Sequence, residues 1–113
     1  SDIVKNYCDL KTISFKFPND IFVNKKKICG ILQEVIFINN KKFLIIGIGL
    51  NIISNPTIKK KYQTTCIKHE SKKKPSILKI VNEMLVSYED FFDNLSNYSF
   101  SKFKKRAELI AIN

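Results

Sequence analysis

The chain has 113 residues, 44% of them hydrophobic and 27% charged, with a formal net charge of +10. That length holds one small domain with a real core and not two, and the composition is globular, which excludes a disordered segment. No apolar run reaches the roughly 18 residues of a membrane span, and the opening SDIVKN has neither the basic start nor the apolar stretch of a signal peptide.

In chain order, Ile3, Val4, Tyr7 and Leu10 fall at helical spacing and predict the last turns of a helix. Three apolar, β-branched runs follow: Thr12 to Phe17, Ile28 to Ile38 and Phe43 to Ile53. The breaks at Asn24-Lys25-Lys26 and Asn39-Asn40 have turn chemistry, because asparagine tolerates positive φ and can hydrogen-bond its own backbone. The simplest reading is a three-stranded antiparallel meander. In its first strand Ile13, Phe15 and Phe17 face one side and Ser14 and Lys16 the other. Pro18 cannot donate to a ladder and ends that strand, after which Ile21-Phe22-Val23 resumes an extended path into the Asn24 turn. Gly47 and Gly49 interrupt a strand that would pack better without them.

From Asn51 to Gln63 there is no convincing period, and Asn55-Pro56 signals a loop. The pattern changes at Pro75, which suits a first helical turn. Ile77, Ile80, Val81, Met84, Leu85, Tyr88, Phe91, Phe92 and Leu95 recur at three- and four-residue steps and mark a helix whose apolar face packs on the sheet. After a break at Asn94 to Ser99, Ser99 can cap a short final helix through Phe100, Phe103 and Arg106, and Leu109 to Ile112 could begin another strand. Strands followed by helices give an α+β fold, an antiparallel or mixed sheet with helices on one face. It divides into a β-meander over 1–53 and a helical part over 75–106.

Nearly all the positive charge is lysine, and Arg106 is the sole arginine. A nucleic-acid or acidic-lipid surface is one reading of this excess. A solvated lysine-rich exterior is the better one, because phosphate and base readout favour arginine and the runs Lys59-Lys60-Lys61 and Lys72-Lys73-Lys74 have no interleaved stacking aromatics. Cys8, Cys29 and Cys66 are odd in number and widely spaced without CxxC, so they form neither a disulfide framework nor a zinc site and point to a reducing, cytoplasmic compartment. His69 has no triad partners nearby and reads as a loop residue.

Three segments carry chemistry. KFPND, KKICGILQE and GIGLNI, in that order, resemble the core of a biotin protein ligase catalytic domain. Phe17 replaces the family's tryptophan in the first; Lys26 to Leu32 match the second; Gly47 to Asn51 match the third. The resemblance covers most of the chain and implies the second half of a catalytic domain with the class II synthetase-like biotin/lipoate ligase fold. Nothing here resembles the family's glycine- and arginine-rich adenylate-binding loop, which normally lies upstream of the first segment.

The resemblance implies a two-step reaction: ATP activates biotin to biotinyl-5′-AMP, and a lysine of a biotin carboxyl carrier domain then takes the biotinyl group. Mg²⁺ would accompany ATP through its phosphates. Lys27 would bridge the biotin carboxylate and the α-phosphate, since two anions brought together need a fixed cation between them. Asp20, across the hairpin, would attract and orient the incoming lysine amine. Their alternatives are an ordinary hairpin lysine and a turn aspartate. Asn19 would hold the loop or contact the adenylate, and Lys16 would lie on the phosphate side. Gly30 and Ile31 would receive biotin on a bare stretch of strand, with a β-bulge as the alternative reading of the glycine. Gly47, Gly49 and Asn51 would line the adenylate pocket. A dinucleotide-binding reading of Gly47-Ile48-Gly49 fails for want of a third glycine and a following helix. The resemblance also implies a homodimer or a separate upstream half as partner. Rival readings are a catalytically incompetent remnant or binding module of the same fold, a lipoate-type acyl ligase, and weak nucleic-acid binding through lysine.

Overall fold

The computed structural model describes residues 2–57, 62–97, 99, 101, 102, 104 and 105. Its elements run α1 (Asp2–Lys5), β1 (Ile13–Lys16), β2 (Asp20–Val23), β3 (Lys26–Ile38), β4 (Lys41–Leu50), α2 (Ile67–Glu70) and α3 (Ile77–Asp93). The strands form one antiparallel sheet in the order β1-β2-β3-β4. A single parallel bridge joins Lys27 to Thr64. The α+β architecture agrees with the sequence expectation, but the meander has four strands rather than three. Pro18 and Asn19 do not pass the chain on in an extended path. They reverse it through a tight turn whose Phe17–Pro18 peptide is cis, so that Lys16 pairs with Asp20 and Ile13 with Val23.

Two further reversals are two-residue turns. Asn24 and Lys25 have φ of 49° and 63°, and Asn39 and Asn40 have φ of 48° and 62°. Two successive left-handed residues make a hairpin turn whose twist matches that of the strands, and asparagine is the side chain that tolerates the first position best. Lys26, expected in the turn, is therefore already in β3. β4 begins two residues earlier than its apolar run and stops at Leu50 rather than Ile53.

The core gathers on one sheet face. Val4, Cys8, Ile13, Ile21, Val23, Ile28, Cys29 and Ile67 form a single cluster, with Phe15, Ile31, Ile48 and Leu50 packed against it. Ile28, Ile67 and Ile80 are wholly buried, and each such side chain contributes about 1.5–3 kcal/mol. Phe17 departs from the expected inward row: it lies past the end of β1 and is 61% exposed. Leu10 is also exposed, because the chain leaves α1 before reaching it and makes a short 3₁₀ turn capped by Asp9.

Ser76 caps α3 through a hydrogen bond from the Lys79 N–H, and Pro75 sits buried just before it rather than within the first turn. Ser76 wins that position because a hydroxyl can satisfy an orphan N–H and a proline ring cannot. The helix meets α1 and borders the sheet through Met84 and Tyr88, beside Ile31 and Ile48. Of its stripe, Ile80 is buried, whereas Ile77, Val81, Leu85 and Phe92 remain exposed. The outer halves of β3 and β4 likewise expose Leu32, Phe37, Phe43 and Leu44. His69, expected in a loop, is an exposed residue of α2. Phe100, Phe103 and Arg106 of the expected last helix, the strand start at Leu109 to Ile112, and Lys59-Lys60-Lys61 lie outside the described residues. No described helix is long and apolar enough to cross a membrane.

Candidate functional site

The site is built by one irregularity in the sheet. β2 and β3 pair regularly at Asp20 with Gly30 and Ile21 with Cys29, but Phe22 then faces Lys27, leaving Ile28 as an extra residue. Without this bulge, residues 27 and 30 would point to opposite sides, because side chains alternate along a strand. With it, Lys27 and Gly30 share the face that carries Asp20 and Phe22, while Ile28 and Cys29 can both be buried in the core. The bulge therefore lies at Ile28, and the reading of Gly30 as its cause is corrected.

On this face Lys27 Nζ stands 2.8 Å from Asp20 Oδ1, with about a fifth to a quarter of each side chain exposed. Asp20 is a strand residue and not a turn residue, which corrects the alternative reading of its role. As hydrogen-bond acceptor first, and as a charge besides, Asp20 holds the Lys27 amine above its ordinary value of 10.5, against the lowering effect of burial; Tyr62 pushes the same way as Asp20. The ammonium has three donors, so one bond to Asp20 leaves others for incoming oxygens.

Cross-strand register extends the face sideways. Lys16 pairs with Asp20, Asp20 with Gly30, and Gly30 with Gly49, a row across all four strands; Gly47 follows opposite Leu32. None of the three glycines has positive φ. A Cβ on Gly49 would approach nothing nearer than the Gly30 carbonyl at 3.9 Å, and one on Gly47 nothing nearer than the Leu32 carbonyl at 3.8 Å. At Gly30 it would meet Asp20 Oδ1 at 3.4 Å and the end of Lys27 at 3.5 Å. Neither backbone conformation nor packing within the described residues calls for glycine here. What the glycines do is leave the sheet bare beside the ion pair.

The other expected residues divide. Lys16, Asn19 and Asp20 border an open cleft of about 420 Å³ at the β1-β2 turn, within the size range of small-molecule sites. Asn19 enters the ladder through its carbonyl, which accepts from the Ile31 N–H at 2.9 Å. Ile31 borders the same cleft but pairs with Ile48 on the core side, so the pleat separates it from Gly30. The Asn51 side chain donates to the Thr65 carbonyl at 3.0 Å and its N–H to the Ile28 carbonyl at 2.9 Å. It clamps the strand exit to the loop beyond.

That loop also supplies a site residue that sequence reasoning missed. Where β4 ends, Gln63 to Thr65 takes its place beside β3: Lys27 N–H donates to the Gln63 carbonyl at 2.8 Å, and Thr65 N–H to the Lys27 carbonyl at 2.9 Å. Asn55 and Thr64 bond to one another and reinforce it. The segment brings Tyr62 over the site. Its ring lies edge to face with Phe22, with Lys16 Nζ at 5.5 Å and Lys27 Nζ at 5.4 Å from its centroid. No periodicity or motif in the sequence marks Tyr62; an aromatic next to a lysine run was the one available sign. Among the described residues no group of three His, Cys, Asp or Glu side chains could hold a metal ion.

A family model described as "Biotin/lipoate A/B protein ligase family" matches residues 6–51, which contain this whole face except Tyr62. The chain is 29% identical to "Biotin--protein ligase 2" of Arabidopsis thaliana over 116 aligned residues, 93% of this chain and 33% of that protein. Among solved structures, the apo biotin protein ligase of Aquifex aeolicus is similar at a TM-score of 0.72 and 25% identity, covering 99% of this chain and 49% of that one. The Leishmania major enzyme in complex with biotinyl-5-AMP is similar at a TM-score of 0.72 and 27% identity, covering 90% and 40%. The chain thus spans about a third of the length of the curated relative and about half or less of the solved ones. Residues 6–51 thus match the biotin/lipoate A/B protein ligase family model, and the fold of the chain is the one these biotin protein ligases share.

Proposed function

We propose that this chain is part of a biotin protein ligase that activates biotin with ATP and passes it to a lysine of a biotin carboxyl carrier domain. The observation that carries this reading is the Lys27–Asp20 pair at 2.8 Å beside the bare backbone of Gly30 and Gly49. In the first step a biotin carboxylate oxygen bonds to the α-phosphorus of ATP, and the bond to the bridging oxygen breaks, releasing pyrophosphate. Lys27 holds both anions through its remaining donors and offsets the charge that builds on the phosphoryl oxygens. Gly30 and Gly49 let the acid lie flat on the sheet. In the second step the acceptor amine attacks the acyl carbon, AMP leaves, and the amine gives up a proton. Asp20, fixed by Lys27, draws that amine in and orients it.

Mg²⁺ would enter on the phosphates of ATP. Among the described residues no group of three His, Cys, Asp or Glu side chains gathers to hold it. Biotin rather than lipoate is favoured by the KFPND segment and by relatives named as biotin–protein ligases. For the exposed ribbon of Leu32, Phe37, Phe43 and Leu44 the partner we favour is the other half of the ligase polypeptide, because the solved relatives are about twice as long as this chain. A second copy of this chain is the competing outcome, distinguished by sedimentation of the chain alone.

The test adds the purified chain to biotin, MgATP and a carrier domain, with and without the N-terminal half of a related ligase, and follows biotin on the carrier. Transfer that disappears with Lys27→Ala supports the proposal. Absence of transfer in both mixtures, with no calorimetric affinity for biotin or its adenylate and a competent control alongside, defeats it. The partial coverage also favours a second reading, a binding module of the same fold, which predicts affinity for biotinyl-5′-AMP without turnover in either mixture.

A further inference from the structure

Lys16 and Lys27 bring like charge onto one face of the sheet from two different strands. Asp20 takes up Lys27, and among the described residues no carboxylate pairs with Lys16. Left alone, two such amines would swing apart into water. What both share instead is the ring of Tyr62, at 5.5 and 5.4 Å. The electron-rich face of a phenol attracts ammonium groups without neutralising them, so each cation keeps its charge for an incoming anion.

We infer that Tyr62 is the positioning residue that holds Lys16 and Lys27 together as a two-cation seat for the phosphoryl and carboxylate oxygens of the adenylate. This rests on the reading of the face given under Proposed function.

Two independent constraints fix the ring. From the side, Phe22 meets it edge-on at 5.9 Å and 77°. From the backbone, Gln63 and Thr65 bond to the main chain of Lys27 itself, so the residue just before Gln63 is carried to the lysine by the strand that bears the lysine. The loop is in turn fastened by Asn51 and Asn55. Tyr62 makes no chemical contribution of its own in this picture. It sets where two flexible four-carbon stems end, and each stem would otherwise lose rotamer freedom on binding.

The experiment compares the wild-type chain with Tyr62→Phe, Tyr62→Leu and Lys27→Ala, using two readouts. One is the proton shift of the Lys16 and Lys27 side-chain methylenes, which a neighbouring ring face moves upfield. The other is calorimetric affinity for a non-hydrolysable biotinyl-5′-AMP analogue. Expected are upfield methylenes in wild type and Tyr62→Phe and their loss in Tyr62→Leu. Affinity should fall about tenfold in Tyr62→Leu and within about threefold of wild type in Tyr62→Phe, the scale of a desolvated cation–ring contact. Wild-type affinity in Tyr62→Leu, alongside a loss in Lys27→Ala, overturns the inference and leaves the function standing. No binding by the wild-type chain, either alone or with the N-terminal half of a related ligase present, removes the function and the inference with it. Unfolding of Tyr62→Leu is detected by the same spectra, and Tyr62→Met then serves as the variant without a ring.

Discussion

Gly30→Ala separates folding from binding at the site. The added methyl would lie 3.4 Å from Asp20 Oδ1 and 3.5 Å from Lys27 Nζ, close contacts that require no backbone movement, and Gly30 has no positive φ to defend. A Gly→Ala change at a compatible position stabilises by about 0.4–1 kcal/mol, because the unfolded chain loses freedom. Allowing for the tight carboxylate contact, about +0.5 kcal/mol remains. With a urea slope near 1.5 kcal/mol/M, the midpoint should rise by roughly 0.3 M. Binding should change in the opposite sense. An oxygen that bonds to the Lys27 amine at about 2.9 Å from the bare side would overlap that methyl. Loss of one charge-assisted hydrogen bond costs about 1.5–3 kcal/mol, or roughly ten- to a hundredfold in affinity for the adenylate analogue. Urea titration and calorimetry on the same preparation decide the matter. A stability loss above about 1 kcal/mol would show that the glycine serves the fold, and unchanged affinity would show that this face is not the seat.

Three other expectations concern the scaffold. Burial, first of all, pushes the Cys8 and Cys29 thiols up from 9.0 to about 11, so above pH 9 the unfolded chain releases protons that the native one keeps, and stability falls. Lys27, raised above 10.5, adds to the same trend, since its contribution is complete below 10.5 and is lost as pH rises through its native value. Urea midpoints that rise between pH 9 and 10.5 would contradict this. Ile80→Ala should destabilise by about 2–5 kcal/mol, because the side chain is wholly buried, whereas Leu78→Ala, 80% exposed, should stay within about 0.5 kcal/mol by thermal or urea unfolding. Lys25→Gly should stabilise by about 1 kcal/mol, since Lys25 sits at φ 63° as the second residue of a two-residue hairpin turn; a lower midpoint would mean that the lysine side chain has a role there.

Local residue chemistry was enough to lay out most of the frame. Paired polar residues with asparagine between β-branched runs set the reversals at Asn24 and Asn39, because few side chains accept a left-handed backbone. Apolar spacing from Ile77 onward set α3 for the same kind of local reason, a period of 3.6. The motif residues Asp20, Lys27, Gly30, Gly47 and Gly49 were legible as letters. Their gathering on one face was not. It depends on an extra residue at Ile28, and a bulge is a property of two strands in register, invisible in either strand alone. Counting alternation from Gly30 back to Lys27 gives opposite faces; the paired structure puts them on the same one. β2 was missed for a related reason: four residues become a strand through partners on both sides, β1 and β3. Tyr62 reaches the lysines through hydrogen bonds between Lys27 and Gln63 and Thr65, more than thirty residues apart, and local chemistry carries no information about contacts at that distance.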